Sequence, residues 1–328
     1  MQYTTLGRTN LRVSVAGLGC GGNSRLGLGS GKSEREAVAL VRAAFDLGIN
    51  FFDTAEAYET EAVLGQALAG LPRDGIVVSS KSRILDADGR LISSDAVIGN
   101  LDHSLRRLQM DYIDVYFLHA VQFKHYDYAL HELVPALIEQ RRLGKIRHLG
   151  ISETPPRDPD QAMLRRALDD SCWDVFMLAF HMMNQGARTS LFPRTASQRV
   201  GTLLMFVVRN IFSRPGVLQE TIEQLVRDGA LPEFFRNQAA PLDFLVHEGG
   251  ASSLTDAAYR FARHEPGADV VLFGTGDQAH LRRNVESLLK PPLPPADVET
   301  LHRLFGHLHG VGLVFPDKSH AGVRLPSV

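Results

Sequence analysis

Two hydrophobic periods take turns along this chain. Short runs that are almost continuously apolar ("INFFD", "GIVVSSK", "YIDVYFLH", "IRHLGIS", "WDVFMLAF", "GTLLMFVV", "ADVVLFGTG") alternate with stretches whose apolar residues recur every three or four positions. Ala37, Leu40, Val41, Ala44 and Phe45 form one such stripe, and Ser33 followed by Glu36 predicts a capping box at its start. Helices are also predicted over "EAVLGQALAG", "SSDAVIGNLDHSLRRLQ", "YALHELVPALIEQRRLG", "PDQAMLRRALDD", "GVLQETIEQLVRDGA" and "DQAHLRRNVESLL". "YTTLG" and "LRVSV" around the turn "GRTN" predict an N-terminal hairpin, and "VAGLG" a first buried strand. Runs buried on both faces and alternating with helices imply a parallel sheet, and about eight units close it into a barrel. The expected fold is α/β: a (β/α)8 TIM barrel with an N-terminal β-hairpin. Residues 185–250 are the least regular, so an insertion is expected there, and a C-terminal tail from about 309. No linker composition divides the chain, so 1–328 reads as one domain.

Composition narrows the classes. Hydrophobic residues make up 44% of the 328, enough for a large core, and the formal net charge of -2 offers no general attraction to nucleic acid or anionic membranes. No apolar run reaches membrane-spanning length and no signal peptide is evident. Two cysteines, Cys20 and Cys172, cannot build a disulfide framework or a cysteine zinc site. These features predict a soluble protein of a reducing compartment, the cytoplasm, with no metal.

Two phosphate-binding patterns nearly fit. "GLGCGG" satisfies G-x-G-x-x-G at Gly17, Gly19 and Gly22, but "NSRLGLGSGK" intervenes before any helix, whereas a dinucleotide fold starts its helix at once. "LGLGSGKS" ends like a P-loop at Gly31, Lys32 and Ser33, yet Leu26 stands where the rule needs glycine. A glycine-rich surface loop is the better reading.

In a parallel barrel, chemistry sits where strands end. Asp53 ends "INFF", Lys81 ends "GIVVSS", His119 ends "YIDVYFL", and Tyr58 follows Asp53 in the next loop. Each has an ordinary explanation alone: an N-cap, a solvated charge, a core histidine, a surface aromatic. Together, at the ends of three consecutive strands, they predict one rim. A phenol with a free pKa near ~10 gives up its proton reluctantly; a nearby ammonium stabilises its phenolate. A carboxylate holds the ammonium, and an imidazole can orient a carbonyl oxygen. Such a set would polarise and protonate a C=O without a metal or a Ser or Cys nucleophile.

These residues carry a resemblance. "FFDTAEAYE", "VVSSK", "SLRRLQMDYIDVYFLH" and "LGKIRHLGIS", in that order, resemble the aldo-keto reductase superfamily. The resemblance implies NAD(P)H-dependent hydride transfer to the carbonyl of a small aldehyde or ketone, or its reverse. Tyr58 would be the general acid/base, Lys81 and Asp53 its tuning pair, and His119 the group that orients the carbonyl. It also implies cofactor contacts: Cys20 and Gly21 after the first strand, Ser152 and Glu153 after the fifth, and Phe180 as the ring stacked on the nicotinamide. Arg209, with Arg214 nearby, would serve the pyrophosphate. Gly274, Thr275, Gly276, His280 and Asn284 in "FGTGDQAHLRRN" would serve the adenosine end.

The sequence departs from the family at several of these positions. Glu153 replaces a common Asn and would accept from an amide NH2 but not donate; Met177 stands where Gln is frequent; His181 stands where Asn is common. Gly276 and His280 replace basic residues, with Arg282 and Arg283 as possible compensation. NADP(H) is the family default, and these changes leave NAD(H) open. The alternatives are a nicotinamide-binding regulatory or sensor barrel with little turnover and a lyase using Lys81 as nucleophile.

Overall fold

The computed structural model describes residues 1–314 apart from Asn237 and Ala239; the expected tail therefore lies mostly outside the described residues. Ten strands form. β1 (Tyr3–Thr5) and β2 (Arg12–Ser14) make an antiparallel hairpin. β3 (Ala16–Gly19), β4 (Phe51–Asp53), β5 (Val77–Arg83), β6 (Ile113–His119), β7 (Ile146–Ser152), β8 (Val175–Ala179), β9 (Gly201–Met205) and β10 (Val270–Phe273) pair in parallel, and β10 returns to β3 to close the barrel. The expected architecture is the observed one.

Strand alternation sorts the core into two layers. Phe51, Val77, Val115, Phe117, Val175, Met177, Leu203, Val270 and Leu272 fill the barrel. Their neighbours Phe52, Val78, Tyr116, Leu118, Phe176, Leu178, Leu204 and Val271 pack outward against the helices. Leu6 and Val13 of the hairpin join the inner cluster, so the hairpin plugs the end where the strands begin.

The outer ring is α1 (Glu34–Asp46), α2 (Glu61–Leu68), α3 (Ser94–Leu108), α4 (Val134–Arg142), α5 (Ala162–Ala167), α6 (Phe192–Gln198), α7 (Val217–Arg227), α8 (Leu254–Arg263), α9 (Gln278–Leu289) and α10 (Pro295–Phe305). α1 starts with the anticipated capping box between Ser33 and Glu36. Within residues 185–250 the expected strand and helix form as β9 and α7, α6 is a helix that the apolar pattern did not predict, and the irregular part is mainly 228–253.

Candidate active site

The rim is built by strand phase. Phe51 and Asp53 share the inward face of β4, Ser79 and Lys81 that of β5, and Phe117 and His119 that of β6. Asp53, Lys81 and His119 therefore rise around the barrel axis above an apolar floor. A short turn, Glu56–Tyr58, follows β4 and returns the phenol to the same mouth.

Lys81 is fully buried. Its Nζ donates to Asp53 Oδ1 at 2.5 Å and to the Thr54 carbonyl at 2.7 Å. Ser79 Oγ also donates to Asp53 Oδ1, at 2.6 Å. An ammonium has three donors, so one is left; the Tyr58 ring centroid lies 5.0 Å from Nζ. Tyr58 Oη is 3.4 Å from His119 Nε2, and the two rings meet edge to face, 5.6 Å between centroids. His119 Nδ1 is buried without a partner.

Burial works against the charge on Lys81, but Asp53 and the hydrogen bond to it outweigh that cost and hold the pKa above its ordinary value. Burial raises the Tyr58 phenol, and the opposing pull of Lys81 does not cancel it. The nearby ammonium alone would lower the phenol, but desolvation is the larger effect, and Tyr58 is protonated at neutral pH. Burial, then the charges of Lys81 and Arg83, push His119 well below the ordinary range, so its imidazole is neutral.

The residues expected around a cofactor are placed unevenly. Cys20 is fully buried in the cluster on the helix side of the barrel wall, and its backbone N–H donates to the Asp53 carbonyl at 2.7 Å. Gly21 lies across Tyr58: a Cβ there would come within 2.6 Å of the ring. Ser152 Oγ accepts from the Ala120 N–H at 2.8 Å.

Glu153 is buried, its Oε1 accepting from the Ala179 N–H at 2.6 Å and from Gln161 at 3.3 Å. Its Oε2 has no protein partner, and burial pushes its pKa up to about 8. Glu153 is therefore largely a neutral acid at pH 7 and can donate, contrary to the expectation that it could only accept.

Phe180 is a correction. It falls on the outward phase of β8, fully buried, stacked on Phe261 at 5.6 Å and edge-on to Phe192. It offers no ring face to the mouth. Another aromatic, Phe206, lies just past the end of β9, half-buried, with φ 66°; the Arg209 guanidinium lies 4.2 Å over its ring and also donates to the Val314 carbonyl. Met177 fills the barrel interior, and His181 is buried against the Val311 carbonyl at 3.0 Å.

At the end of β10, Gly274 faces Ser24 and Thr275 Oγ1 accepts from the Asp277 N–H at 3.1 Å. Asp277 caps α9 through the His280 N–H, Asn284 is half-buried on that helix, and Arg282 and Arg283 are exposed. A Cβ on Gly276 would strike Gly27 at 2.5 Å, so the first loop is packed on this one. Lys32 Nζ donates to the Gly276 carbonyl at 2.5 Å. The lysine of the near-miss P-loop pattern thus stands beside the adenosine-end loop, which has no basic residue at Gly276 or His280. Among the described residues no group of three or more His, Cys, Asp and Glu could hold a metal ion.

The Aldo/keto reductase family matches residues 17–305. The chain belongs to that family. It is 30% identical to an L-galactose dehydrogenase of Arabidopsis thaliana over 98% of both chains. A Bacillus halodurans aldo-keto reductase in its holo form superposes with a TM-score of 0.73 at 23% identity, covering 96% of this chain and 100% of the other. An aldo-keto reductase of Klebsiella pneumoniae, solved with NADPH, gives a TM-score of 0.68 at 24% identity, covering 93% and 96%. As a member of the aldo/keto reductase family, the protein is an NAD(P)-dependent oxidoreductase.

Proposed function

We propose that the protein interconverts a small aldehyde or ketone and its alcohol, with Tyr58 as general acid/base. The observation that carries this reading is the fully buried Lys81, held by Asp53 and Thr54 beneath the Tyr58 ring and beside a neutral His119.

His119 Nε2 lies close enough to the phenol oxygen that one substrate oxygen can bond to both groups. As that oxygen gains negative charge, Tyr58 gives it a proton. The resulting phenolate is stabilised by the charge of Lys81, and Asp53 keeps that charge in place without competing for the phenol. In the oxidative direction the same phenolate takes the alcohol proton. A bound nicotinamide supplies or accepts the hydride.

The chain's residues fit that group. Glu153 presents a buried acid oxygen without a protein partner, protonated at neutral pH and so able to donate to a carboxamide oxygen. Phe206, just past the end of β9, would supply the aromatic surface that Phe180 does not. The Gly274–Gly276 loop, with Lys32 bound to it, would hold the adenosine end, and NADP(H) is the cofactor favoured, as in the NADPH-bound Klebsiella relative. The Arabidopsis relative's name makes aldose oxidation one form of this chemistry to assay.

The test is turnover of a panel of aldehydes, ketones, aldoses and alcohols with each nicotinamide, followed at the absorbance of the reduced ring. Cofactor binding without turnover of any of them would instead leave a binding barrel.

A further inference from the structure

Arg83 shares a face with the catalytic lysine. On β5, Val78, Ser80 and Ser82 point outward; Ser80 bonds Glu61 at 2.5 Å and Ser82 accepts from Asn100 at 2.9 Å. The opposite phase carries Val77 and Ser79 inward, then Lys81, then Arg83. Arg83 is the last residue of the strand and is paired in register with His119. Two residues past Lys81 place it about 6.6 Å further out along the strand, at the lip of the mouth.

Its charge is uncompensated there. Lys81 is neutralised by Asp53, and Arg25 at the same rim by Glu59 at 2.7 Å. The Arg83 side chain makes no ion pair or hydrogen bond among the described residues; its backbone alone is used, the N–H donating to Glu56 Oε1 at 2.7 Å and the carbonyl accepting from Ser82 Oγ at 2.9 Å. The charge of Arg83 acts on Glu56, but burial is the larger effect and raises the pKa of that acid, which weakens it as a counter-ion. The guanidinium also acts on His119 across the strand pair. An exposed, unpaired arginine elsewhere would be a solvated surface charge. This one is aimed by strand phase over the place where the carbonyl must sit, and its planar fork matches an oxyanion in two-point contact.

Resting on the carbonyl-reductase reading above, we propose that Arg83 is a specificity residue that binds a carboxylate or phosphate on the substrate, a few bonds from the reacting carbonyl. The protein would then favour anionic aldehydes and ketones over neutral ones of the same shape.

Two matched pairs test this: 4-carboxybenzaldehyde against benzaldehyde, and glyceraldehyde 3-phosphate against glyceraldehyde. Wild type should prefer the anion of at least one pair by about tenfold or more in kcat/KM, the scale of a charge-assisted hydrogen bond, with the difference mainly in KM. The pair that shows the preference identifies carboxylate or phosphate. Arg83→Met should bring that ratio close to one, and Arg83→Lys should keep part of it. A wild-type ratio near or below one in both pairs, or a ratio unmoved by Arg83→Met, overturns the proposal. If none of the four aldehydes is reduced, the reductase reading fails separately. Calorimetric binding of benzoate and of inorganic phosphate then decides the anion site. Loss of about tenfold in affinity for either in Arg83→Met supports it; equal affinity in both proteins overturns it.

Discussion

Lys81 Nζ lies 2.5 Å from Asp53 Oδ1, and the two side chains are 0% and 6% exposed. A pair this dry stands or falls as a unit, because removing one partner leaves the other charge buried and unmatched. Asp53→Asn should therefore cost about 3 kcal/mol or more of folding stability, measured by urea unfolding, and should also abolish most turnover. A variant that unfolded at the wild-type urea midpoint would show that the ammonium is neutralised by some other group.

Tyr58→Phe should lose most hydride transfer while holding the cofactor with near wild-type affinity. The phenol proton is needed only as the carbonyl becomes an alkoxide, so its loss falls on the chemical step. Single-turnover oxidation of the reduced cofactor, read beside a cofactor titration, checks both halves. A wild-type single-turnover rate would assign the proton to another group.

Gly21→Ala should impair turnover with little change in melting temperature. The added Cβ would sit 2.6 Å from the Tyr58 ring, and the phenol must shift for it to fit. Loss of about tenfold or more is expected, since a misplacement of about 1 Å in a reacting group can cost ~100-fold.

Glu153 makes stability depend on pH. Its folded pKa of about 8 lies above the ordinary carboxyl value of 4.5, so between those values the native state keeps a proton that the unfolded chain has lost. The stability it contributes is fully present below the lower value and is lost as pH rises through the upper one. Glu153→Gln keeps the acceptor at Oε1 and a donor at the other position without titrating. The variant should match wild type near pH 4.5 and exceed it at pH 8, by on the order of 4 kcal/mol. Melting temperatures across that range decide it; parallel curves would mean that Glu153 is ionised in the native state.

Lys32→Met should weaken NADPH more than NADH. Lys32 is bound to the Gly276 carbonyl, and a cation there favours the extra phosphate of NADPH by about 1.5–3 kcal/mol if the two meet. Titration of both reduced cofactors into wild type and variant checks this. Equal losses for the two would give Lys32 a loop-holding role only.

The barrel was legible because its strands are short apolar runs bounded by loops, and three of the four proposed catalytic side chains because each ends such a run, with Tyr58 in the loop just after one of them. The first loop was not. Gly21 and Lys32 act through approach to residues 37 and 244 positions later, Tyr58 and Gly276, and no local pattern reports that. Phe180 and Phe206 each follow an apolar run. The choice between them depends on strand phase and on a backbone at φ 66°, neither of which an apolar run encodes. α8 was missed because Asp256 and Arg260 interrupt its apolar pattern, yet both are buried, Arg260 by bonding the carbonyls of Gly250, Pro291 and Pro292.

The closure of β10 onto β3 also sets an order of events during synthesis. The four proposed catalytic residues lie within the first 119 positions, but the strand that completes the wall beside them spans Val270–Phe273. Until that segment has left the ribosome, β3 is an open edge with unpaired amides, free to pair with another nascent chain. The seam joins residues more than 250 apart, and contacts of that separation form slowly. A chain truncated before residue 270 would thus carry all four proposed catalytic side chains and still lack the closed wall that keeps Lys81 dry.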